Sequence, residues 1–288
     1  MDTLVSTDWL SQHLNDPDLV VLDCTVSVKP DPTSPKGYRI VNGRADYEAG
    51  HIPGAGFADL QGDLSDSDSP WNSALPTPEK FCAAMGALGV GEDSRVVLYD
   101  GNFAVWAARV WWMLRWVGFD NAAILNGGLQ AWNAEGCPLS TEPPARPVGR
   151  LTPQVRPEII AWKEDVAAVL HDSHALIIDS LDAGSYRAGH IPGAINIDTR
   201  TLLALSGHYK SPEELAAMHP GDRSLRVITY CGGGIAASSN AFVMHRLGFT
   251  NVAVYMNSMQ EWAADPANPL AVGENESQTS VDPSLNAA

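Results

Sequence analysis

Cysteine is scarce in this chain: four in 288 residues, Cys24, Cys82, Cys137 and Cys231. No two form a C-x-x-C pair, and no Cys/His cluster has zinc-ligand spacing. A disulfide framework and a structural metal are therefore not expected, and no cofactor is. Basic residues are also few. Eighteen Lys and Arg stand against 34 Asp and Glu, a formal net charge of −16, which argues against nucleic acid and anionic membranes as partners. No apolar run approaches the roughly 20 residues of a membrane span. The opening residues Met1, Asp2, Thr3 and Leu4 lack the basic and apolar regions of a signal peptide. A cytoplasmic protein is expected. The hydrophobic content, 45%, is that of a globular chain with a full core, and the length suffices for two domains.

The chain is one unit written twice. HIPGA begins at His51 and again at His190. LVVLDCT (19–25) resembles ALIIDSL (175–181), VVLYD (96–100) resembles VITYC (227–231), and GFDNAAIL (118–125) resembles GFTNVAVY (248–255). Trp132 and Trp262 close the two units, each with a glutamine two places before it. The order is the same in both halves, and the period is too long for a solenoid. Short Val/Ile/Leu runs alternate with helical stretches in each half. Continuous apolar runs mark strands buried on both faces, hence an α/β fold of two domains, each a largely parallel sheet flanked by helices. The expected boundaries are 1–140 and 156–273. Between them lies a proline-rich, semi-rigid linker at 141–155, and a polar tail covers 274–288. The Asp/Ser/Pro-rich segment 59–76 reads equally as a solvated connection or as a flap over the cleft between domains.

The chemistry points to VITYCGGGIAASS (227–239). A strand ends at Tyr230, Cys231 follows, then three glycines, then a helical run to Leu247. A cysteine at the carboxyl end of a strand and facing a helix start meets converging N–H groups and a positive dipole end. That position favours the thiolate, the nucleophilic form. Glycines let the loop curl with its amides inward. Gly232, Gly233, Gly234, Ile235 and Ala236 are thus the candidate anion cradle, with Cys231 as nucleophile. The competing reading is a buried cysteine followed by a tight turn. Cys24 and Cys82 fit that reading, lying in an apolar strand and a helical run. In the first half, Asp100 stands where Cys231 stands in the second, and Phe103, Val105 and Trp106 replace the glycines. That half is expected to be a non-catalytic partner. Its tryptophans read as core and interface residues, with Trp106 the one expected to reach the cleft.

These residues resemble the tandem rhodanese family of thiosulfate and 3-mercaptopyruvate sulfurtransferases, over almost the whole chain. The likeness rests on YEAGHIPGA, the SD…SP…LP pattern within 64–76, VWWMLRWVG and LNGGLQAW in the first half. In the second it rests on YRAGHIPGA, TYCGGGIAAS and QEW. The resemblance implies an active site between two α/β domains and a catalytic cysteine, Cys231, that carries a persulfide. It implies a small anionic sulfur donor and a thiol, cyanide or thioredoxin-like acceptor. The departures bear on the donor. Gly232 and Gly233 stand where thiosulfate enzymes carry Arg and Lys. Gly233 and Ala236 replace the Ser and Thr of the mercaptopyruvate loop. Ser73 replaces the flap histidine of a Ser–His–Asp relay. Leu181 replaces an arginine that often follows the strand aspartate. Arg187 and Arg44 are the remaining candidate substrate contacts, with surface ion pairs as the alternative. The loop itself offers amides and no cation, which favours 3-mercaptopyruvate over thiosulfate. Two other readings stay open: a non-catalytic sulfur-carrier or interaction module, and a phosphatase-like anion enzyme. The latter needs an arginine where Ala236 and Ala237 stand.

Overall fold

The computed structural model describes residues 1–33, 38–101 and 103–273; the expected tail, 274–288, lies outside the described residues. The first sheet is built from β1 (Leu4–Val5), β2 (Leu19–Asp23), β5 (Gly56–Phe57), β6 (Arg95–Tyr99) and β7 (Ala122–Leu125), with a hairpin of β3 (Val26–Pro30) and β4 (Tyr38–Asn42) beside it. Its helices are α1 (Thr7–His13), α2 (Arg44–Ala49), α3 (Pro78–Ala87), α4 (Val105–Trp116) and α5 (Gly128–Ala134). The second sheet holds β8 (Ile160–Ala161), β9 (Ala175–Asp179), β10 (Ile195–Asn196), β11 (Arg226–Tyr230) and β12 (Val252–Tyr255). Its helices are α6 (Lys163–Val169), α7 (Ala183–Ala188), α8 (Pro212–Met218), α9 (Ile235–Arg246) and α10 (Ser258–Trp262). Both sheets are parallel. The order β5-β2-β6-β7-β1 in the first is matched by β10-β9-β11-β12-β8 in the second. The protein is thus two α/β domains of one plan. Among the described residues no helix is long and apolar enough to cross a membrane.

The repeated motif HIPGA is architectural. In each copy the histidine ring stacks on a tyrosine four residues earlier, Tyr47 on His51 at 4.0 Å and Tyr186 on His190 at 3.8 Å. The tyrosine hydroxyl donates to the carbonyl of Ala55 or Ala194, at 2.7 Å in both. The next amide, Ile52 or Ile191, donates to the hydroxyl of the tyrosine that ends the central strand, Tyr99 or Tyr230. Each cluster locks a loop beneath its sheet and satisfies polar groups that burial would otherwise leave unpaired.

The domains meet through α4 and α9, which pack against each other. Nearly every residue of VWAARVWWMLRW in α4 is buried. A helix apolar on all sides must be covered on all sides: α4 is covered by its own sheet and by the other domain. Trp111 meets Phe242 edge-on at 4.9 Å, and Tyr209 N–H donates to Asn126 Oδ1 at 2.9 Å. One apolar cluster runs through both halves. The proline-rich connection is tied to the first domain by backbone bonds, Gly149 N–H to Gly86 O, Gln154 N–H to Val117 O and Arg156 N–H to Trp116 O, each 2.8 Å.

Candidate active site

Strand β11 delivers Cys231 to the carboxyl edge of its sheet, with three residues between the cysteine and the start of α9. Cys231 is 3% exposed. Gly234 ends the loop at φ +78, and a Cβ there would collide with the Met256 carbonyl, so only glycine fits. Among the described residues, none of the N–H groups of Gly232 to Ala236 donates to a side chain or loop carbonyl. The first two lie in the loop and the last two in the first turn of α9, where helical amides have no partner of their own. The five candidate cradle residues thus follow Cys231 directly, and among the described residues their amides are not taken up by a side chain or loop carbonyl. Gly232 borders open space: no atom lies within 4 Å of where its Cβ would stand.

The base of the loop is pinned twice. Cys231 N–H donates to Ser258 Oγ at 3.1 Å, and Cys231 O accepts from Met259 N–H at 3.0 Å. Ser258 is buried and has φ +51, a left-handed conformation that costs a residue with a Cβ roughly 1 kcal/mol or more. Its hydroxyl donates to Tyr255 O at 2.7 Å.

A guanidinium from the other domain completes the site. Arg109, in the middle of α4, is 1% exposed. Its Nη1 bonds Met256 Sδ and lies 2.8 Å from where a Cβ on Gly234 would be, while Nη2 donates to Ser73 O at 2.9 Å. Among the described residues its Nε has no hydrogen-bond partner. Burial pushes the guanidinium down to about 10, and the attraction of Cys231 opposes that fall. At neutral pH it remains charged. The loop carries no cationic side chain of its own, as expected; the cation beside it is Arg109 of the neighbouring domain, which the sequence did not mark as a site residue. The sequence signal that could have found it was an arginine in the middle of an otherwise apolar stretch, with the helix's other charge, Arg115, in its last turn, since a buried charge needs a partner.

Segment 59–76 is docked rather than solvated at its tip. The Gln260 side chain grips Asn72 in both directions, with Nε2 donating to Asn72 O at 3.0 Å and Oε1 accepting Asn72 N–H at 3.1 Å. Together with the Arg109 bond to Ser73, this holds the segment over the cysteine loop.

The first half shows what the same architecture does without a thiol. The Asp100 carboxylate accepts the N–H groups of Ala104 at 3.1 Å, Trp106 at 3.0 Å and Ala107 at 2.9 Å. The cradle there is filled by its own side chain. Four residues (101–104) separate Asp100 from α4, against three (232–234) between Cys231 and α9. Trp106 lines a cavity on this side with Asp23, Tyr47 and Phe103, so it faces the first domain's own loop and not Cys231.

The other cysteines lack this setting. Burial, with Asp23 and Asp100 nearby, pushes the Cys24 thiol well up, and burial raises Cys82 to about 11. Both stay protonated thiols near neutral pH. Arg44 sits on α2 with its guanidinium 4.7 Å over the Phe57 ring. Arg187 is exposed in the last turn of α7, where its carbonyl accepts Gly273 N–H at 2.9 Å. The side chains that meet the cysteine loop are instead those of Arg109, Ser258 and Gln260, with the Met256 carbonyl against Gly234; none of these was marked as a site residue by the sequence.

Comparison with known proteins bears on the family and the fold. The family model for the rhodanese-like domain matches twice, at residues 6–135 and 163–265. The 3-mercaptopyruvate sulfurtransferase of Escherichia coli (strain K12) is 34% identical over 280 residues, covering 92% of this chain and 96% of the relative. The thiosulfate sulfurtransferase of Rattus norvegicus is 32% identical over 295 residues, covering 94% and 96%. A protein of Thermus thermophilus named sulfur carrier protein TtuD is 33% identical over 297 residues, covering 95% and 98%. The crystal structure of SseA from Escherichia coli superposes with a TM-score of 0.79 at 33% identity, over 90% of this chain and 99% of that one.

Proposed function

The chain belongs to the rhodanese family as a tandem-domain sulfurtransferase, and on that premise we propose that it moves sulfur through a persulfide on Cys231, with 3-mercaptopyruvate favoured over thiosulfate. The observation that carries this is the contrast between the halves: Asp100 fills its own ring of amides, whereas the ring above Cys231 stands open beside a buried guanidinium. In the first step the Cys231 thiolate attacks the donor's outer sulfur. With mercaptopyruvate the C–S bond breaks and its electron pair stays on carbon. That carbon takes up the proton of the donor thiol, so pyruvate leaves and Cys231 keeps the sulfur as a persulfide anion. In the second step a thiol, cyanide or thioredoxin-like acceptor attacks that outer sulfur and frees Cys231. Two easier displacements replace one difficult transfer. The amides of Gly232, Gly233, Gly234, Ile235 and Ala236 hold the charged sulfur as an oxyanion hole holds oxygen, and Arg109 supplies the counter-charge. No general base stands in the loop, so the thiolate must be formed before attack.

The donor preference rests on charge. Thiosulfate is a compact dianion whose transfer from water needs fixed positive charge or many donors. A single buried cation, in a protein of net charge −16, suits a monocarboxylate better. Arg187 and Arg44 are proposed as outer contacts for that carboxylate, and alanine at either position should raise the KM for donor.

The deciding experiment assays the pure protein with both donors side by side and locates the added sulfur by peptide mass spectrometry. Sulfur on the Cys231 peptide, and loss of turnover in Cys231→Ser, are expected. Labelling of Cys24, Cys82 or Cys137 instead would overturn the assignment. The likeness to a sulfur carrier protein favours a second reading, in which the same persulfide is handed only to a protein acceptor. Absence of turnover with small acceptors would select it.

A further inference from the structure

We infer that Ser258 is a positioning residue for Cys231, kept in a strained backbone conformation because its hydroxyl fixes the cysteine beneath the amide ring. This rests on the reading of Cys231 as the residue that takes up sulfur. The duplication supplies the control. The first helical residue of α5 is Gly128, at φ +54, and the first of α10 is Ser258, at φ +51. The backbone at this corner is therefore left-handed in both halves, which suits glycine and not serine. In the first half a side chain is impossible, because a Cβ on Gly128 would run into the Asp100 carbonyl. The second half has made room for one.

The hydroxyl has a defined polarity. Its hydrogen goes to Tyr255 O at 2.7 Å, so toward Cys231 it acts as an acceptor, taking the N–H at 3.1 Å. Cys231 is then held on both sides of its Cα, by Ser258 at its N–H and by Met259 N–H at its carbonyl. The N–H of Cys231 is thereby turned away from the anion, which leaves the ring of residues 232–236 to hold the sulfur. The side chain is 0% exposed, so it acts through Cys231 and does not touch donor or acceptor.

Two variants separate positioning from stability. Ser258→Gly removes hydroxyl and strain together, in a conformation the first half shows glycine adopting. Ser258→Ala removes the hydroxyl and keeps the strain. Both should lower kcat about tenfold, the effect of one lost hydrogen bond at a reacting group, with little change in KM for donor. Both should slow alkylation of the Cys231 peptide by iodoacetamide at pH 7 by a similar factor. The glycine variant should melt above the alanine variant. Wild-type kcat in either variant, or a loss of kcat that follows the order of melting temperatures, would overturn the inference. A failure of the persulfide reading shows separately, as a wild-type Cys231 peptide that gains no sulfur.

Discussion

Replacing Gly232 with Arg should move donor preference toward thiosulfate, and the structure sets how far. Gly232 is not in the left-handed region, and no atom lies within 4 Å of its would-be Cβ, so a long side chain enters without displacing anything. A charge-assisted hydrogen bond contributes about 1.5–3 kcal/mol. The position is exposed, and an arginine carries about 2 kcal/mol of rotamer entropy, part of which is lost on ordering. The lower end therefore applies, roughly a tenfold rise in the thiosulfate to mercaptopyruvate ratio of kcat/KM. Adding Gly233→Lys should give less than a second tenfold. A Cβ on Gly233 would stand 3.2 Å from Gln260 Nε2 and 3.6 Å from Asn72 O, so the lysine presses on the amide that grips the flap. The assay follows thiocyanate from thiosulfate and cyanide, and pyruvate from mercaptopyruvate, on wild type and both variants. An unchanged ratio, or a wild type already faster with thiosulfate, would show that donor choice is set by Arg109, Arg187, Arg44 or the flap at 59–76.

Arg109→Met should cut turnover with either donor by about ten- to a hundredfold, the range of one charge-assisted contact, while Arg109→Lys retains part of it. Alkylation of Cys231 at pH 7 should slow in the methionine variant, and an unchanged rate would remove Arg109 from the chemistry. Asp100→Cys on a Cys231→Ser background should recover no activity, because Phe103 and Ala104 follow where glycines are needed. It should also destabilise the fold by roughly 3 kcal/mol, since three buried N–H groups lose their acceptor; recovered sulfur transfer would refute the asymmetry. Burial, and after it the Arg115 guanidinium, push the His245 imidazole from its ordinary 6.5 down to about 4. The unfolded chain takes a proton there that the folded chain refuses. Stability is thus complete above pH 6.5 and falls as pH drops toward 4. Discounted for partial exposure, the loss is about 1–2 kcal/mol. His245→Gln should flatten that part of a melting curve against pH, and an unaltered slope would show that other groups carry it.

Most of the fold was legible because its signals are local and doubled. The runs 19–25, 96–100, 175–181 and 227–231 each became a central strand or its exit, since continuous Val/Ile/Leu content suits strands buried on both faces. The cysteine loop was legible for a similar reason: strand, cysteine, glycines and helix are consecutive. What sequence did not show is what arrives from far along the chain. Arg109 lies in α4 and meets a loop more than a hundred residues later, so its role depends on how α4 and α9 cross. Ser258 gives no pattern signal, because serine at a helix start is ordinary and only its positive φ marks it. Gln260 was noticed as part of a repeat, yet its partner, the Asn72 backbone, has no sequence signature. Arg187 and Arg44 were singled out by charge, which says nothing about direction.

The contacts between the two halves give the half without the cysteine loop a place in the site. Each domain sends a segment to the other: Asn72 to Gln260, and the turn at Gly207 to within contact of Gln130, with Tyr209 N–H bonding Asn126 Oδ1 at 2.9 Å. The arrangement is reciprocal, as a duplicated fold packed face to face requires. Its chemical content is not. Through α4 the first half gives the second a buried cation and a lid, whereas the second gives back a loop over a cradle that Asp100 already fills. A carboxylate there accepts three of the first half's amides and caps α4 at its start. The cap anchors one end of the helix that carries Arg109, which among the described residues has no carboxylate partner. Asp100, at the counterpart of the cysteine position, therefore caps the helix that carries Arg109 to the loop of the other domain.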